Sequence, residues 1–328
     1  MLDVQEIGSA IVGGLALLLY GISRMAFAVR CLCGDRIGVV VAKLARTPLH
    51  GFVSGTVGAA AMQSSTALVL LVLSFVATPS AHQPVIMTFE QSVPVLLGAQ
   101  IGSTLVNQLV TFKLSTWALY ILAAGWALAR FARAESLVAW GTFVFGLGLL
   151  FHGNEILARA ITPLRHHADF LAMLASIEHP LAGSLVACVV TVLIQTSAAT
   201  ISVTQMLARL NVVSLRTGLA FVVGANVGTA STAIVACIGT NADAVCVAVC
   251  FLLIKLLPAC VTLPLLPQLE SITRAVSPDD ADSSRLIANA HTLWNVIVSF
   301  LFLPFTAHVA RGVRLLVGEP AAAKVTKL

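Results

Sequence analysis

The chain has 328 residues, of which 58% are hydrophobic and only 10% are charged, and its formal net charge is +5. Soluble domains average roughly 25% charged residues, so this composition excludes an ordinary soluble protein. The cations lie at the ends of apolar runs and form no basic block, which argues against nucleic acid as a partner. The chain is therefore expected to be an integral protein of the lipid bilayer.

Seven uncharged runs are long enough, or nearly so, for membrane-spanning helices, because a crossing takes ~17–25 apolar residues. In chain order they cover residues 7–23, 91–112, 114–129, 136–154 and 217–242, a run centred near Leu253, and residues 286–310. Lys255 interrupts the sixth run, where its ammonium group would pair with an internal acid or reach toward the membrane surface. The predicted fold class is an all-α polytopic membrane protein.

Two further uncharged runs are divided by a central glutamine, Gln63 or Gln195, into arms that are too short to cross. At 1.5 Å per residue, each arm reaches only ~20 Å against a hydrocarbon core of ~30 Å. Each run therefore predicts a re-entrant hairpin, and a single kinked helix is the alternative. The predicted hairpins cover residues 48–77, with the tip at 63–66, and residues 180–208, with the tip at 195–198.

An internal duplication organises the chain. The offset between the two copies is 132 residues over the hairpins and falls to 126 farther along. Each copy contains a span, a hairpin and two further spans, and three crossings are an odd number, so the second copy is predicted to be inverted. The matched positions include Pro48 with Pro180, Gln63 with Gln195, and residues 98–103 with 224–229.

The duplication also sets the predicted boundaries and sidedness. With the N-terminus outside and the C-terminus in the cytoplasm, eleven lysines and arginines fall inside and seven fall outside. This bias agrees with the positive-inside rule and predicts a multi-pass plasma-membrane protein, the bacterial inner membrane being expected. The predicted units are repeat 1 at residues 1–134, repeat 2 at 135–268, and a loop, last span and short basic tail at 269–328.

The two hairpin tips carry uncharged hydrogen-bonding side chains. A helix that begins at mid-membrane presents unpaired N–H groups and a partial positive charge, which suit an anion. Hydroxyl groups donate to anion oxygens and also ligate small hard cations, and a glutamine amide does both. Packing of small polar residues between helices is the alternative explanation. The predicted anion-binding residues are Gln63, Ser64, Ser65, Thr66, Gln195, Thr196 and Ser197.

Two glycine-containing phrases, at residues 98–104 and 224–232, combine poor helix formers with side-chain oxygens. They predict broken helices whose freed carbonyls and hydroxyls bind Na⁺, with a glycine face for close packing as the alternative. Asn295, on the last span, is predicted to line the cavity or to bond to neighbouring helices. The predicted sodium ligands are Gln63, Ser65, Gln100, Ser103, Thr104, Gln195, Ser197, Thr200, Asn226 and Thr229.

Five phrases in a fixed order carry a resemblance to a known family. They are Gln-Ser-Ser at 63–65, Gly-Ala-Gln-Ile-Gly-Ser at 98–103, Gln-Thr-Ser at 195–197, Gly-Ala-Asn-Val-Gly-Thr at 224–229 and Ala-His-Thr-Leu-Trp-Asn at 290–295. From about Leu15 to Asn295, the chain resembles the type II sodium–phosphate cotransporter family. It departs from the family pattern at Ala198, where a serine is usual, and at Gln100, where an asparagine is usual.

The resemblance implies that the paired hairpin tips hold phosphate and Na⁺, the latter as the coupling ion, with no cofactor. The chain resembles a short bacterial-type member of the family, since the sequence shows no PhoU-like domain after its last span. Whether two copies form a homodimer is left open.

The predicted function is sodium-coupled symport of inorganic phosphate by alternating access. The alternative is a transporter, exporter or channel for another small oxyanion. An enzyme is not expected, because the sequence lacks G-x-S-x-G, H-E-x-x-H and a P-loop.

Overall fold

The computed structural model describes residues 4–33, 36–77, 86–112, 114–167, 172, 177 and 179–318, and within these it is built from helices. Six helical stretches are long and apolar enough to cross a membrane, which makes the chain a multi-pass membrane protein. These stretches are Gln5–Leu32, Phe89–Val110, Glu135–Leu164, Leu215–Ala236, Ala242–Thr262 and Ser283–Val317.

The α-helices of the described residues are numbered in chain order. In the first half they are α1 Val4–Cys33, α2 Arg36–Leu44, α3 Pro48–Met62, α4 Ser65–Ala77, α5 Phe89–Gly102, α6 Leu105–Val110, α7 Ala118–Phe131 and α8 Glu135–Ile161. In the second half they are α9 Pro180–Ile194, α10 Ser197–Arg209, α11 Leu215–Gly228, α12 Ala230–Ala236, α13 Ala242–Thr262, α14 Leu266–Ala275, α15 Ser283–Phe302 and α16 Thr306–Val317. Short 3₁₀ turns cover Ser115–Trp117, Thr162–His166 and Leu303–Phe305.

Helix lengths repeat between the two halves. Helices α3 and α9 both have 15 residues, α4 and α10 both have 13, and α5 and α11 both have 14. Packing repeats as well, since α3 lies on α5 as α9 lies on α11. The contacts between the halves are reciprocal: α4 packs on α12, and α10 packs on α6. The order, length and packing of the helices thus follow the duplication seen in the sequence.

The predicted span at residues 114–129 differs from the other six. It forms the 3₁₀ turn Ser115–Trp117 and helix α7, which has 14 residues and is therefore ~21 Å long. That length is shorter than a hydrocarbon core of ~30 Å, and this stretch is not among the six membrane-capable ones. Helix α7 packs along α8, with Gly125 against the backbone of Phe145.

Both glutamine-centred runs are interrupted at the glutamine. Helix α3 ends and α4 begins on either side of Gln63, and α9 and α10 are divided in the same way at Gln195. In the second run the hydroxyl oxygens of Thr191 and Thr200 lie 2.9 Å apart. Nine residues of continuous helix would rise ~13.5 Å, so these two arms fold back on each other. The second run is therefore two helices that meet at Gln195 and not one continuous helix.

Close packing of α5 on α3, and of α11 on α9, depends on glycine. A Cβ atom on Gly98 would lie 2.0 Å from the carbonyl oxygen of Phe52, and one on Gly224 would lie 1.9 Å from that of Ser184. Real side chains do not approach backbone atoms so closely, so only glycine fits at these two positions. The alternative role proposed for the glycine phrases, a face for close helix packing, is thus present in the structure.

The helices also break at the glycine phrases, but only briefly. Ser103 and Thr229, which follow the ends of α5 and α11, keep right-handed helical backbone angles. Nearby carbonyls do not stand free, because the Ser103 hydroxyl donates to the Gln100 carbonyl and the Thr229 hydroxyl donates to the Asn226 carbonyl. The role of these carbonyls as sodium ligands stays a prediction, because a carbonyl oxygen that accepts one hydrogen bond keeps a second lone pair.

Two groups of ion pairs lie at opposite ends of α13. At its first turn, Arg314 bonds to Asp243 at 2.7 Å and to Glu90 at 2.6 Å. Beyond its other end, in α14, Glu270 pairs with Arg274 at 3.1 Å. The 21 residues of α13 separate the two groups.

Candidate functional site

The first glutamine tip is built by a left-handed residue between two helices. Gln63 has φ 52° and ψ 26°, and its backbone N–H bonds back to the last turn of α3. Ser64 then caps α4, its Oγ accepting from the Ala67 N–H at 3.1 Å. The Gln63 side chain is buried, and its Oε1 has no hydrogen-bond partner among the described residues. The tip therefore keeps one buried amide oxygen available.

The second tip has the same backbone but a different side-chain environment. Gln195 has φ 63° and ψ 16°, and its backbone N–H donates to the Thr191 carbonyl at 2.7 Å. Its side chain is exposed, donates to the Val192 carbonyl and accepts from the hydroxyl of Thr232. Non-glycine residues rarely adopt the left-handed conformation, and such strained positions cluster at functional sites.

The remaining predicted tip residues surround the starts of α4 and α10. Ser65 is buried, whereas Thr66, Thr196 and Ser197 are half-buried. No hydrogen bond between described residues joins Gln63 to Gln195, so the structure does not bring the two amides into direct contact. Helix α12 is the physical link, because its Thr232 contacts Gln195 while its body packs on α4.

A polar seam runs between α15 and the α5–α6 segment. Ser299 donates to the Leu97 carbonyl at 2.8 Å, and Thr292 donates to the Thr104 hydroxyl at 3.1 Å. Farther along, the Gln108 side chain donates to the Thr292 hydroxyl at 2.9 Å. As residue numbers rise on α5 and α6 they fall on α15, so the two segments are antiparallel.

Gln100 and Asn295 lie within this seam, between its Leu97–Ser299 and Thr104–Thr292 contacts. Both side chains are fully buried, at 1% and 0% exposure. Gln100 has no partner for either its Oε1 or its Nε2, and Asn295 has none for its Oδ1, among the described residues. Asn295 does bond to its own helix, its Nδ2 donating to the His291 carbonyl at 2.7 Å. Burial of amide atoms without hydrogen-bond partners costs free energy. A ligand that bound to these atoms would offset that cost, so the seam is a candidate binding site.

The other predicted sodium ligands are placed in the same region but are already bonded within the chain. The Asn226 Nδ2 donates to the Val222 carbonyl at 2.9 Å, and the Thr104 hydroxyl donates to the Ile101 carbonyl at 2.9 Å. Thr200 accepts from Thr191, which joins the arms of the second tip. Their hydroxyl and amide oxygens keep lone pairs that a hard cation can share.

One polar cluster was missed in the sequence. Asn107 donates to the Ala198 carbonyl at 3.0 Å, and Gln205 donates to the Asn107 carbonyl at 3.0 Å and to the Ser284 carbonyl at 3.2 Å. These bonds hold α10 to α6 and to α15. The sequence did contain a signal for this cluster. Two amide side chains lie inside uncharged runs, where burial of a polar group has a high free-energy cost.

Lys255 is a buried basic residue within the membrane-capable helix α13. Its side chain is 1% exposed, so it does not reach the membrane surface. Its Nζ lies 4.7 Å from the centre of the Phe251 ring, and no ion pair with a described residue is recorded for it. Among the described residues there is also no group of three or more His, Cys, Asp or Glu suited to a metal ion.

The chain is similar to proteins of one known family. A model of the family described as Na⁺/Pi-cotransporter matches residues 17–159 and 166–268, more than half of the chain. “Uncharacterized protein YqeW” of Bacillus subtilis (strain 168) is 28% identical over 273 residues, which cover 82% of this chain and 85% of that protein. No solved structure matches the chain.

Two further relatives are longer. Proteins named “Putative inorganic phosphate export protein YjbB”, from Salmonella typhimurium and Escherichia coli (strain K12), are each 27% identical over 313 residues. The match covers 95% of this chain but 55% of those proteins, so the chain spans about half their length.

Proposed function

The chain belongs to the Na⁺/Pi-cotransporter family, and on that premise we propose that it is a secondary active transporter that moves inorganic phosphate with Na⁺ rather than an enzyme. The observation that carries the proposal is the pair of left-handed glutamines, Gln63 and Gln195, at equivalent junctions of two 15- and 13-residue helix pairs. A duplicated strained junction at a helix start is the arrangement expected of a site shared by two halves.

Phosphate binds at the two helix starts. The first N–H groups of α4 and α10 and the positive ends of their dipoles attract the anion, and the nearby hydroxyls donate to its oxygens. Neutral donors hold phosphate without the fixed charge of an arginine, which allows release. The proposed phosphate residues are Gln63, Ser64, Ser65, Thr66, Gln195, Thr196 and Ser197.

Na⁺ binds where buried oxygens lack partners. The oxygens of Gln63, Gln100 and Asn295 have no hydrogen-bond donor among the described residues, and amide oxygens suit a small hard cation. Asn295 is thereby proposed as a ligand and not only as cavity lining. The further ligands we propose are Ser65, Ser103, Thr104, Gln195, Ser197, Thr200, Asn226 and Thr229.

Transport proceeds by alternating access. The helix pairs α3–α4 and α9–α10 act as re-entrant hairpins in two inverted repeats, so they enter from opposite membrane faces. The N-terminus lies outside and the C-terminus lies in the cytoplasm of the bacterial inner membrane. Termini on opposite sides need an odd number of crossings, so this arrangement has the shorter stretch at residues 115–131 as a seventh crossing beside the six long ones. The reciprocal packing of α4 on α12 and of α10 on α6 supports this arrangement, because each half then helps to form the shared site.

Uptake of radiolabelled phosphate into proteoliposomes tests the proposal. The wild-type chain is expected to accumulate phosphate under an inward Na⁺ gradient and to lose accumulation when K⁺ replaces Na⁺. Ser65→Ala and Gln195→Ala should abolish the Na⁺-dependent uptake, whereas Gln268→Ala, an exposed glutamine on α14, should retain it. Full uptake by both tip variants would remove the tips from the mechanism.

A second candidate function is export of phosphate or of another small oxyanion. The relatives named for inorganic phosphate export favour the outward direction. Efflux from phosphate-loaded vesicles, measured with and without an opposing Na⁺ gradient, separates export from symport. Competition by sulfate, arsenate and small carboxylates identifies the anion, because a site selective for phosphate is inhibited by arsenate and little by the others.

A further inference from the structure

A cavity of about 580 Å³ lies where α3 and α5 begin and α16 passes them. Gln63 is at the other end of α3, a helix of 15 residues and hence ~22 Å long, so the cavity is separate from the glutamine tips. Its volume falls within the roughly 300–1,000 Å³ of ligand pockets. We call it the basic pocket, and its polar lining includes Arg46, Thr47, Glu90, Thr306, Arg311 and Arg314.

The charges around the basic pocket are unbalanced. Arg314 is fixed by both of its acidic partners, with Nε 2.6 Å from Glu90 and Nη1 2.7 Å from Asp243. Its guanidinium also stacks 5.3 Å above the ring of Phe89. Glu90, the only acidic residue in the pocket lining among the residues that the structure describes, is thus already engaged. Arg46 and Arg311 are exposed, and no ion pair with a described residue is recorded for either.

The remaining lining also favours an anion. The N-terminus of α3 opens into the pocket at Thr47 and Pro48, which adds a partial positive charge. Unpaired guanidinium groups recognise phosphate oxygens through two parallel hydrogen bonds. We propose that the basic pocket binds the phosphate group of an anionic ligand, with Arg46 and Arg311 as direct contacts, and that this group comes from an acidic phospholipid or from free inorganic phosphate.

Features of α16 favour a lipid as the source. Leu315 and Leu316 are 80% and 72% exposed, next to Arg311 and Arg314 on the same helix. Helices with basic and apolar faces lie at the membrane interface, and basic pockets between membrane helices bind acidic headgroups. A phosphate bound here would join α16 to α3, the first arm of the Gln63 tip.

Native mass spectrometry of the full chain tests the lipid source. The protein is purified with phosphatidylglycerol, cardiolipin or phosphatidylcholine, and the bound lipid is counted. Each arginine that contacts the headgroup directly should contribute roughly 5-fold to retention of the bound lipid, so Arg46→Gln/Arg311→Gln should weaken retention by ~25-fold. Arg311→Gln alone should weaken it by roughly 5-fold. Lys43→Gln/Arg130→Gln, two exposed cations outside the pocket lining, is the matched control and should retain the lipid.

Thermal stabilisation by inorganic phosphate in phosphatidylcholine nanodiscs tests the second source. If free phosphate fills the pocket, stabilisation persists in Gln63→Ala/Gln195→Ala, which removes the tip site, and is lost when Arg46→Gln/Arg311→Gln is added to those two substitutions. Loss of either acidic lipid or phosphate binding in the arginine variants supports the pocket. Two results together overturn it: equal lipid retention by Arg46→Gln/Arg311→Gln and the wild type, and equal phosphate stabilisation of Gln63→Ala/Gln195→Ala with and without the arginine substitutions. Neither outcome depends on transport, so the pocket and the transport proposal can fail separately.

Discussion

Replacing Gln100 with leucine separates a binding role from a structural one, because the two predict opposite changes in stability. The Gln100 side chain is 1% exposed and has no partner for either amide atom among the described residues. A buried polar group without a partner costs about 1–3 kcal/mol, so Gln100→Leu should raise the free energy of unfolding by about 2 kcal/mol in sodium-free buffer. If Gln100 were needed only for packing, its substitution would instead lower the free energy of unfolding.

Adding Na⁺ should make the wild type more stable than Gln100→Leu. At a concentration of Na⁺ 100 times its Kd, binding stabilises the wild type by about 2.7 kcal/mol. Gln100→Leu should gain none of this and should lose Na⁺-driven phosphate uptake. Thermal melting of the purified protein in Na⁺ and in K⁺ measures both effects.

Asn154 provides the matched control for this experiment. It is another buried amide, at 2% exposure with its Oδ1 unpartnered among the described residues, but it lies on α8 and outside the proposed sodium ligands. Asn154→Leu should stabilise the protein in the same way and keep the response to Na⁺. If Gln100→Leu is less stable than the wild type without Na⁺, or still responds to Na⁺, the assignment of Gln100 is wrong.

Two further predictions concern packing and a buried charge. Gly98→Ala would place a Cβ atom 2.0 Å from the Phe52 carbonyl oxygen and should destabilise the protein by about 3 kcal/mol, whereas Gly13→Ala, with no atom within 4 Å of its Cβ, should be neutral or slightly stabilising. Equal melting temperatures for the two variants would contradict the close contact of α5 with α3. Lys255→Met removes a buried basic side chain that forms no ion pair within the described part of the chain, and it should raise the free energy of unfolding by about 1–4 kcal/mol. A large loss of stability in detergent melts would instead show that the Lys255 ammonium has an essential partner.

The large-scale organisation was predictable because it depends on local sequence. Apolar run length indicated the membrane-capable helices, and the fixed offset between Gln63 and Gln195 indicated two matching helix pairs. The junctions fall at these glutamines since an uncharged run that must turn back does so where polar groups replace apolar ones. Residues 114–129 were predicted less well, because an uncharged run reports composition but not where the helix begins: α7 starts only at Ala118.

Contacts between distant segments were not predictable from one sequence. Pairing of Asn107 with Gln205, and of Arg314 with Glu90 and Asp243, joins residues separated by 71 to 224 positions. The sequence alone also did not distinguish between two roles for the glycine phrases. Gly98 and Gly224 were equally consistent with helix breaks and with close helix packing. Only the position of the Phe52 carbonyl shows that Gly98 serves packing.

Helix α4 contacts α12 and helix α10 contacts α6, so under the proposed function neither half of the chain contains a complete site. Helix α4, which follows the first glutamine, packs on a helix from the second half of the chain. Helix α10, which follows the second glutamine, packs on a helix from the first half. A substitution in α12 therefore acts on the neighbourhood of Gln63 from more than 160 positions away. Replacing one half with that of a distant homologue would disrupt both pairs of contacts at once, unless α4 and α12, and α10 and α6, were exchanged together.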